Sequence, residues 1–340
     1  MTISRRDALR GFAALSAVAL AGTRRLPARA QENPATVRVD YAYYNPSSLV
    51  LKKFGWLEEA LQEQGIGVEW VLSAGSNKAN EYLRSEAIDF GSTAGAAALL
   101  ARANGSPIKT VYLYSKPEWA AVVVGKDSPL TQVSELQGKK VAATKGTDPY
   151  FFLLRSLEAA GLKGSDVEVI NLQHADGRVA LERGEVDAWA GLDPHMAASE
   201  LEAGSKLIYR NIDFNTYGFL NGREAFISQY PELTATVIEQ YERARQWILE
   251  NPDEAAQILA DESKMSLDVA KKVLTERTVL DFDTVPGQTQ TDVLTAVIPI
   301  MINENQVKPD TDLPAVLAEL LAPEIAAGVV SAEAAATPTA

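Results

Sequence analysis

Val141-Ala-Ala-Thr-Lys-Gly-Thr-Asp-Pro-Tyr150 reads as a short buried strand (Val141 to Thr144), a glycine turn (Lys145-Gly146-Thr147) and a helix start. Pro149 suits the first helical position, where its missing N–H costs nothing, and Asp148 suits the cap before it. The helix from Tyr150 to Ala160 sets Leu153, Leu154 and Leu157 on one face and stops at Gly161. A glycine turn between a strand and a helix start leaves N–H groups unpaired, and small anions bind such places. The same pattern also serves ordinary strand-to-helix connections, so the rest of the chain decides its role.

At the start, Ser4-Arg5-Arg6-Asp7-Ala8-Leu9-Arg10 precedes an apolar run from Gly11 to Gly22. That run is shorter than the roughly 20 residues a bilayer span needs. It fits the core of an export signal, and Ala28-Arg29-Ala30 is a suitable cleavage site. Residues 1–30 therefore read as an export signal, and the paired arginines resemble the twin-arginine type. Removing their six arginines and one aspartate takes the formal charge from −13 to −18. So acidic a body does not bind nucleic acid or an anionic membrane through its overall field. The absence of cysteine excludes disulfides, thiolate metal sites and cysteine nucleophiles. The two histidines, His174 and His195, leave little for a zinc site or a Ser–His triad. A mature chain of about 310 residues predicts two domains.

Along that chain, strands alternate with helices. Val37–Tyr43, Val68–Leu72, Ala87–Gly91 and Ile108–Tyr114 read as strands, with helices at 49–64, before Ser85 and at 96–104. After the strand Ala120–Val124, the turn Gly125-Lys-Asp-Ser-Pro129 marks the first crossing between lobes. The second lobe repeats the alternation with strands at Lys140–Thr144, Val167–Asn171, Val186–Ala190 and Lys206–Tyr209. The reading is an α/β fold with lobe one at 36–124, lobe two at 125–218 and a return to lobe one at 219–325. The return is helical, with Pro231–Glu250 amphipathic and Pro299 kinking a helix at Thr289–Asn303. The tail at 331–340 is expected to be disordered. An internal echo links the lobes: Leu83-Arg-Ser-Glu-Ala-Ile-Asp-Phe90 resembles Glu182-Arg-Gly-Glu-Val-Asp-Ala-Trp189.

Parallel sheets bind ligands at the carboxyl ends of their strands, where helix N-termini point. Three such places stand out: Ser47-Ser48, Ser92-Thr93-Ala94-Gly95 and Gly146-Thr147-Asp148. Each offers hydroxyls and loop N–H groups, and each alone also reads as a cap. Charge-assisted hydrogen bonds contribute about 1.5–3 kcal/mol each, against about 0.3–1 for a helix dipole, so convergent donors need no arginine clamp. Glu118 and Trp119 stand in a loop and are further candidates, and Trp189 at a strand's end is either core or ligand platform. Gly138-Lys139-Lys140 lacks the rest of a P-loop, and His-Glu-x-x-His, Gly-x-Ser-x-Gly and a dinucleotide glycine motif are missing. The expectation is a binding protein, not an enzyme, with no cofactor and no metal.

Ile88-Asp-Phe-Gly91, Lys126-Asp-Ser-Pro129, Leu136-Gln-Gly-Lys-Lys-Val141, Lys145-Gly-Thr147, Leu157-Glu-Ala-Ala-Gly-Leu162, Arg183-Gly-Glu-Val-Asp-Ala-Trp189 and Asp193-Pro194 occur in order. Together they resemble the substrate-binding proteins of sulfonate, taurine and nitrate ABC importers, the aliphatic-sulfonate group above all, over Val37 to Glu319. The resemblance implies a type II periplasmic binding fold: two lobes, two crossings and a closing cleft. It implies a monomer that delivers its ligand, an alkanesulfonate first, to a membrane permease driven by an ATPase. It places Ser48 and Ser92 to Gly95 around the ligand, Gly146 and Thr147 on the anionic head, and Trp189 and Asp193 at the cleft border. Taurine, nitrate, a pyrimidine precursor and a receptor-docking sensor role stay open. The chain departs from the family at Leu192, where a tryptophan is common, at Ser92-Thr-Ala-Gly95, and at Asp148, where a neutral residue is common. Asp148 would either compete with an anion for the helix N–H groups or pair with an amine.

Overall fold

Val37 and Val39 are fully buried and start a sheet as β1 (Thr36–Tyr41). The computed structural model describes residues 33–336; the expected export signal at 1–30 and the last residues, 337–340, lie outside the described residues. After β1, Asn45 accepts the Ser48 N–H at 3.2 Å and caps α1 (Pro46–Phe54). The single helix expected at 49–64 is two, α1 and α2 (Trp56–Gln62), because Gly55 takes a left-handed φ of +67° and ends the first ladder. The chain continues through β2 (Gly67–Leu72), α3 (Ser76–Arg84), β3 (Phe90–Ala94), α4 (Gly95–Ala103) and β4 (Ile108–Pro117). It then crosses to β5 (Ala120–Val124), β6 (Lys140–Ala143), α5 (Asp148–Ala159), β7 (Glu168–Asn171), α6 (His174–Glu182), β8 (Ala188–Leu192), α7 (His195–Ala203) and β9 (Lys206–Arg210). A second crossing leads to β10 (Gly218–Arg223), then helices, and β11 (Thr278–Val279).

Two sheets result, ordered β11-β4-β10-β3-β1-β2 and β7-β6-β8-β5-β9. They share one plan. In each, three parallel strands are followed by one antiparallel strand delivered by a crossing, β10 beside β3 in the first and β5 beside β8 in the second. This corrects the sequence reading twice. β5 belongs to the second sheet, so the first crossing is Glu118–Trp119 and not the Gly125–Pro129 turn. Ser92, Thr93 and Ala94, read as a loop, are the end of β3.

The internal echo has a physical basis. The Asp89 carboxylate accepts the Arg38 N–H at 2.9 Å, and the Asp187 carboxylate accepts the Lys140 N–H at 2.8 Å. Each aspartate thus ties its own strand entry to the parallel neighbour of that strand, β1 in one lobe and β6 in the other. The register sets Glu86 (φ +60°) against Gly184 (φ +72°), the left-handed residues that end the preceding helices. The lobe-one core runs on into the inner face of lobe two, and a smaller cluster of Ala121, Val123, Ala142, Leu181, Val186, Trp189 and Met196 fills that lobe's other face.

The return is helical as expected. Pro231–Glu250 is one helix and buries Val237, Ile238, Tyr241 and Ile248. The expected kink at Pro299 is a full break between helices Gln288–Thr295 and Ile298–Asn303. A helix at Pro323–Ala336 runs past Ser331 into the expected tail, in keeping with alanine as the strongest helix former, and the rest of that tail, 337–340, lies outside the described residues.

Candidate functional site

Helices α1, α3 and α4 begin where β1, β2 and β3 end, and α5, α6 and α7 begin after β6, β7 and β8. The N-termini of α3, α5 and α6 meet where the two lobes face each other. A Cβ built on Gly75, before α3, would lie 3.0 Å from His174 Nε2 at the start of α6, and one on Gly146 would lie 3.9 Å from Asn77 Cβ. The lobes are therefore in contact at the loops 73–77, 144–147 and 173–174.

Asp148 is the centre of the crossings. Thr147, not Asp148, caps α5, and Asp148 is its first residue. The buried Asp148 carboxylate accepts the Trp119 indole N–H at 2.8 Å, the Thr216 N–H at 2.9 Å and the Thr216 hydroxyl at 2.6 Å. Trp119 lies on the first crossing and Thr216 on the second, so one carboxylate holds both. Burial raises its affinity for a proton, and these donors oppose that shift. Thr216 reaches lobe one as well: its hydroxyl oxygen accepts the Ala96 N–H at 2.9 Å and its carbonyl accepts the Gly95 N–H at 3.1 Å. Gly95 is glycine for this close approach, since a Cβ there would stand 2.5 Å from the Thr216 carbonyl oxygen.

Several expected ligand residues are structural. Trp119 is buried, and its ring meets Tyr44 edge-on at 6.0 Å, so it is no loop platform. Glu118 is paired with the Arg210 guanidinium, its N–H donating to the Arg277 carbonyl at 2.7 Å. Trp189 is fully buried in the small cluster of lobe two, its indole against Gly177, and does not border the cleft. Asp193 is also buried. It accepts the Ala197 N–H at 2.9 Å and is paired at 3.1 Å with buried Arg277, which also holds Glu200. Arg277 follows a π-helical turn, Lys272–Glu276, and reaches from the first sheet into α7.

The expected hydroxyls are likewise committed. Ser48 donates to the Asn45 carbonyl, Ser92 to Asp40, Thr93 to the Ala94 carbonyl and Thr147 to the Thr144 carbonyl, at 2.6–3.0 Å. None has a proton left for an anion. Among the described residues, four buried hydroxyls lack a hydrogen-bond partner, Ser47, Ser73, Ser115 and Tyr241; of these Ser47 stands at the start of α1, and Ser73, in the loop before α3, lies beside the Asp40 carboxylate. A buried hydroxyl without a partner costs about 1–3 kcal/mol, so such groups mark where something else binds. Ser73-Ala-Gly-Ser-Asn77 shows the same strand-to-helix signal as the three expected places, and sequence could have nominated it. Thr216 and Arg277 carry no such signal.

Beneath the lobe-one loops, burial pushes the Asp40 carboxyl up to about 6, against the hydrogen bonds from Ser92 and Ser73. A carboxyl with a higher pKa folded than unfolded binds its proton more tightly in the folded state. Its contribution is full below about pH 4 and is lost as pH rises through 6. Asp40→Asn keeps an acceptor for Ser92 and is expected to remove about 2 kcal/mol of the fall in stability between pH 4 and 7. Urea denaturation at the two pH values checks it; an unchanged slope would show that Asp40 does not titrate there.

Known proteins share this arrangement. The family model described as NMT1/THI5 like matches residues 55–255. An aliphatic sulfonates-binding protein of Escherichia coli is 32% identical over 212 residues, 62% of this chain and 63% of that protein. A Bacillus subtilis protein of the same description is 28% identical over 229 residues, 66% of this chain and 69% of its own length. The chain thus spans somewhat under two thirds of the Escherichia coli relative. Among solved structures, the alkanesulfonate-binding protein SsuA of Xanthomonas axonopodis pv. citri, bound to MOPS, superposes with a TM-score of 0.76 at 23% identity, covering 84% of this chain and 98% of that one. The two-lobe architecture is the type II periplasmic binding fold, and by the match over more than half its length this chain belongs to the NMT1/THI5-like family.

Proposed function

We propose that this chain is the exported solute-binding component of an ABC importer, that its cleft takes a small anion, an aliphatic sulfonate first, and that it hands this ligand to a membrane permease. The observation that supports the reading is the meeting of the N-termini of α3, α5 and α6 at the loops 73–77, 144–147 and 173–174, with the buried Ser47 hydroxyl unpartnered at the start of α1. Helix N-termini and hydroxyls stabilise an anion without a cation. The names of the relatives, sulfonate-binding in two genera, support the same ligand class. The twin-arginine segment at residues 5–6 and the Ala30 cleavage site support delivery to the periplasm.

The test is a thermal-shift and calorimetric panel of alkanesulfonates, taurine and nitrate on the purified protein. A ligand at a hundredfold excess over its Kd stabilises by about 2.7 kcal/mol, which is readily seen. No shift with any alkanesulfonate would sink the ligand assignment. Within the site, Ser47→Ala is expected to weaken sulfonate binding by about 1–3 kcal/mol, whereas Thr147→Ala lowers folding stability by about 1 kcal/mol and leaves affinity nearly intact. The reverse pattern in titration and denaturation would return the site to Thr147.

A further inference from the structure

We propose that the ligand carries a hydrogen-bond-donating tail besides its anionic head, and that His174, Asn77 and Asn80 select for it. The inference rests on the anion-site reading of the cleft and adds the substrate class. Three acceptors, His174 Nε2, Asn77 Oδ1 and Asn80 Oδ1, are buried without a hydrogen-bond partner among the described residues.

Two of the three are fixed as acceptors by their neighbours. The Thr144 hydroxyl donates to the Leu172 carbonyl at 2.7 Å, so its oxygen can only accept from His174 Nδ1, 3.1 Å away. Nδ1 therefore carries the ring proton and Nε2 is bare. Burial, which lowers the His174 pKa to about 3, keeps the ring neutral. Asn80 Nδ2 donates to the Ala97 carbonyl at 3.0 Å, which leaves Oδ1 as the free acceptor of that amide. Asn77 lies between them. Its Oδ1 is 2.8 Å and His174 Nε2 is 3.0 Å from one point, the place a Gly75 Cβ would take. Asn77 and Asn80 are three apart on α3 and so share a face.

That face lines a cavity of 560 Å³ together with Ala97, Leu100 and Ala101 of α4 and Gly146, and His174 stands beside Asn77 at its margin. Exposed Glu81 and Arg84 also line it. A plain alkyl chain running from the cleft into this cavity would leave the acceptors unpaired. An amine, amide or hydroxyl on the tail would pair with them. Sites built to bond a ligand's O–H or N–H discriminate strongly against the analogue that lacks it.

The experiment is isothermal titration of the purified protein with propane-1-sulfonate and pentane-1-sulfonate, and with their terminal hydroxy and amino counterparts. For at least one chain length, the donor-bearing sulfonate is expected to bind about tenfold or more tightly than the plain one. In the double variant Asn77→Ala, Asn80→Ala that ratio of affinities should shrink, whatever the affinity for the plain sulfonates. Equal affinities within both wild-type series would overturn the inference and leave the anion site standing. A preference that persists in the double variant would overturn its assignment to this cavity. Binding of none of the six would overturn the anion-site reading and this inference with it.

Discussion

Arg277→Met is expected to cost about 3–5 kcal/mol of folding stability, because it strands a buried carboxylate. Arg277 and Asp193 are each almost wholly buried, and the guanidinium also holds Glu200. Burial pushes the Asp193 carboxyl up to about 6, with the Arg277 charge and the Ala197 N–H opposing that shift. Without Arg277 that opposition is lost and the charged form becomes costlier. Two signatures should follow in urea denaturation. The loss should be larger at pH 8 than at pH 5, where a stranded Asp193 can take up a proton. Adding Asp193→Asn, which keeps the acceptor for the Ala197 N–H, should recover part of it. A single variant as stable as the parent would show that the pair contributes nothing across the crossing.

Asp148→Ala is expected to lower stability by about 3–5 kcal/mol, since it leaves three buried donors, on Trp119 and Thr216, without an acceptor. The sequence raised a different possibility, that Asp148 competes with the anion for the helix N–H groups. On that account its removal would raise sulfonate affinity and leave stability alone. Here the carboxylate faces the two crossings and binds them to α5. The variant should therefore denature at lower urea and show no gain in affinity. A tighter-binding variant of unchanged stability would restore the competitor role.

Both residues hold the segments where the chain passes between sheets, and there the sequence was least legible. Pattern could place the elements. Apolar alternation gave β1, Pro231 and Asn251-Pro252 punctuated the long helices, and the Asp89 and Asp187 echo exposed the repeated lobe plan. It misplaced the first crossing because Ala120–Val124 is an apolar run whichever sheet takes it up. Only pairing with β8 and β9 assigns it to the second.

The candidate site divides the same way. That anion-friendly helix starts would gather at strand ends was determined by sequence, since glycine turns and caps are local chemistry. Lys145-Gly146-Thr147 stands at the head of α5, as the strand–turn–helix pattern reads. Which hydroxyl in each loop is free was decided only by tertiary structure. Ser47 and Ser48 are adjacent, yet Ser48 turns back to Asn45 while Ser47 is left without a partner. A hydroxyl has one proton, and whether a carbonyl lies within 3 Å of it depends on the packing of distant segments. The same holds for Asp148, a helix-start residue by sequence and the tie between two crossings by packing, because Trp119 and Thr216 reach it only once both lobes are built.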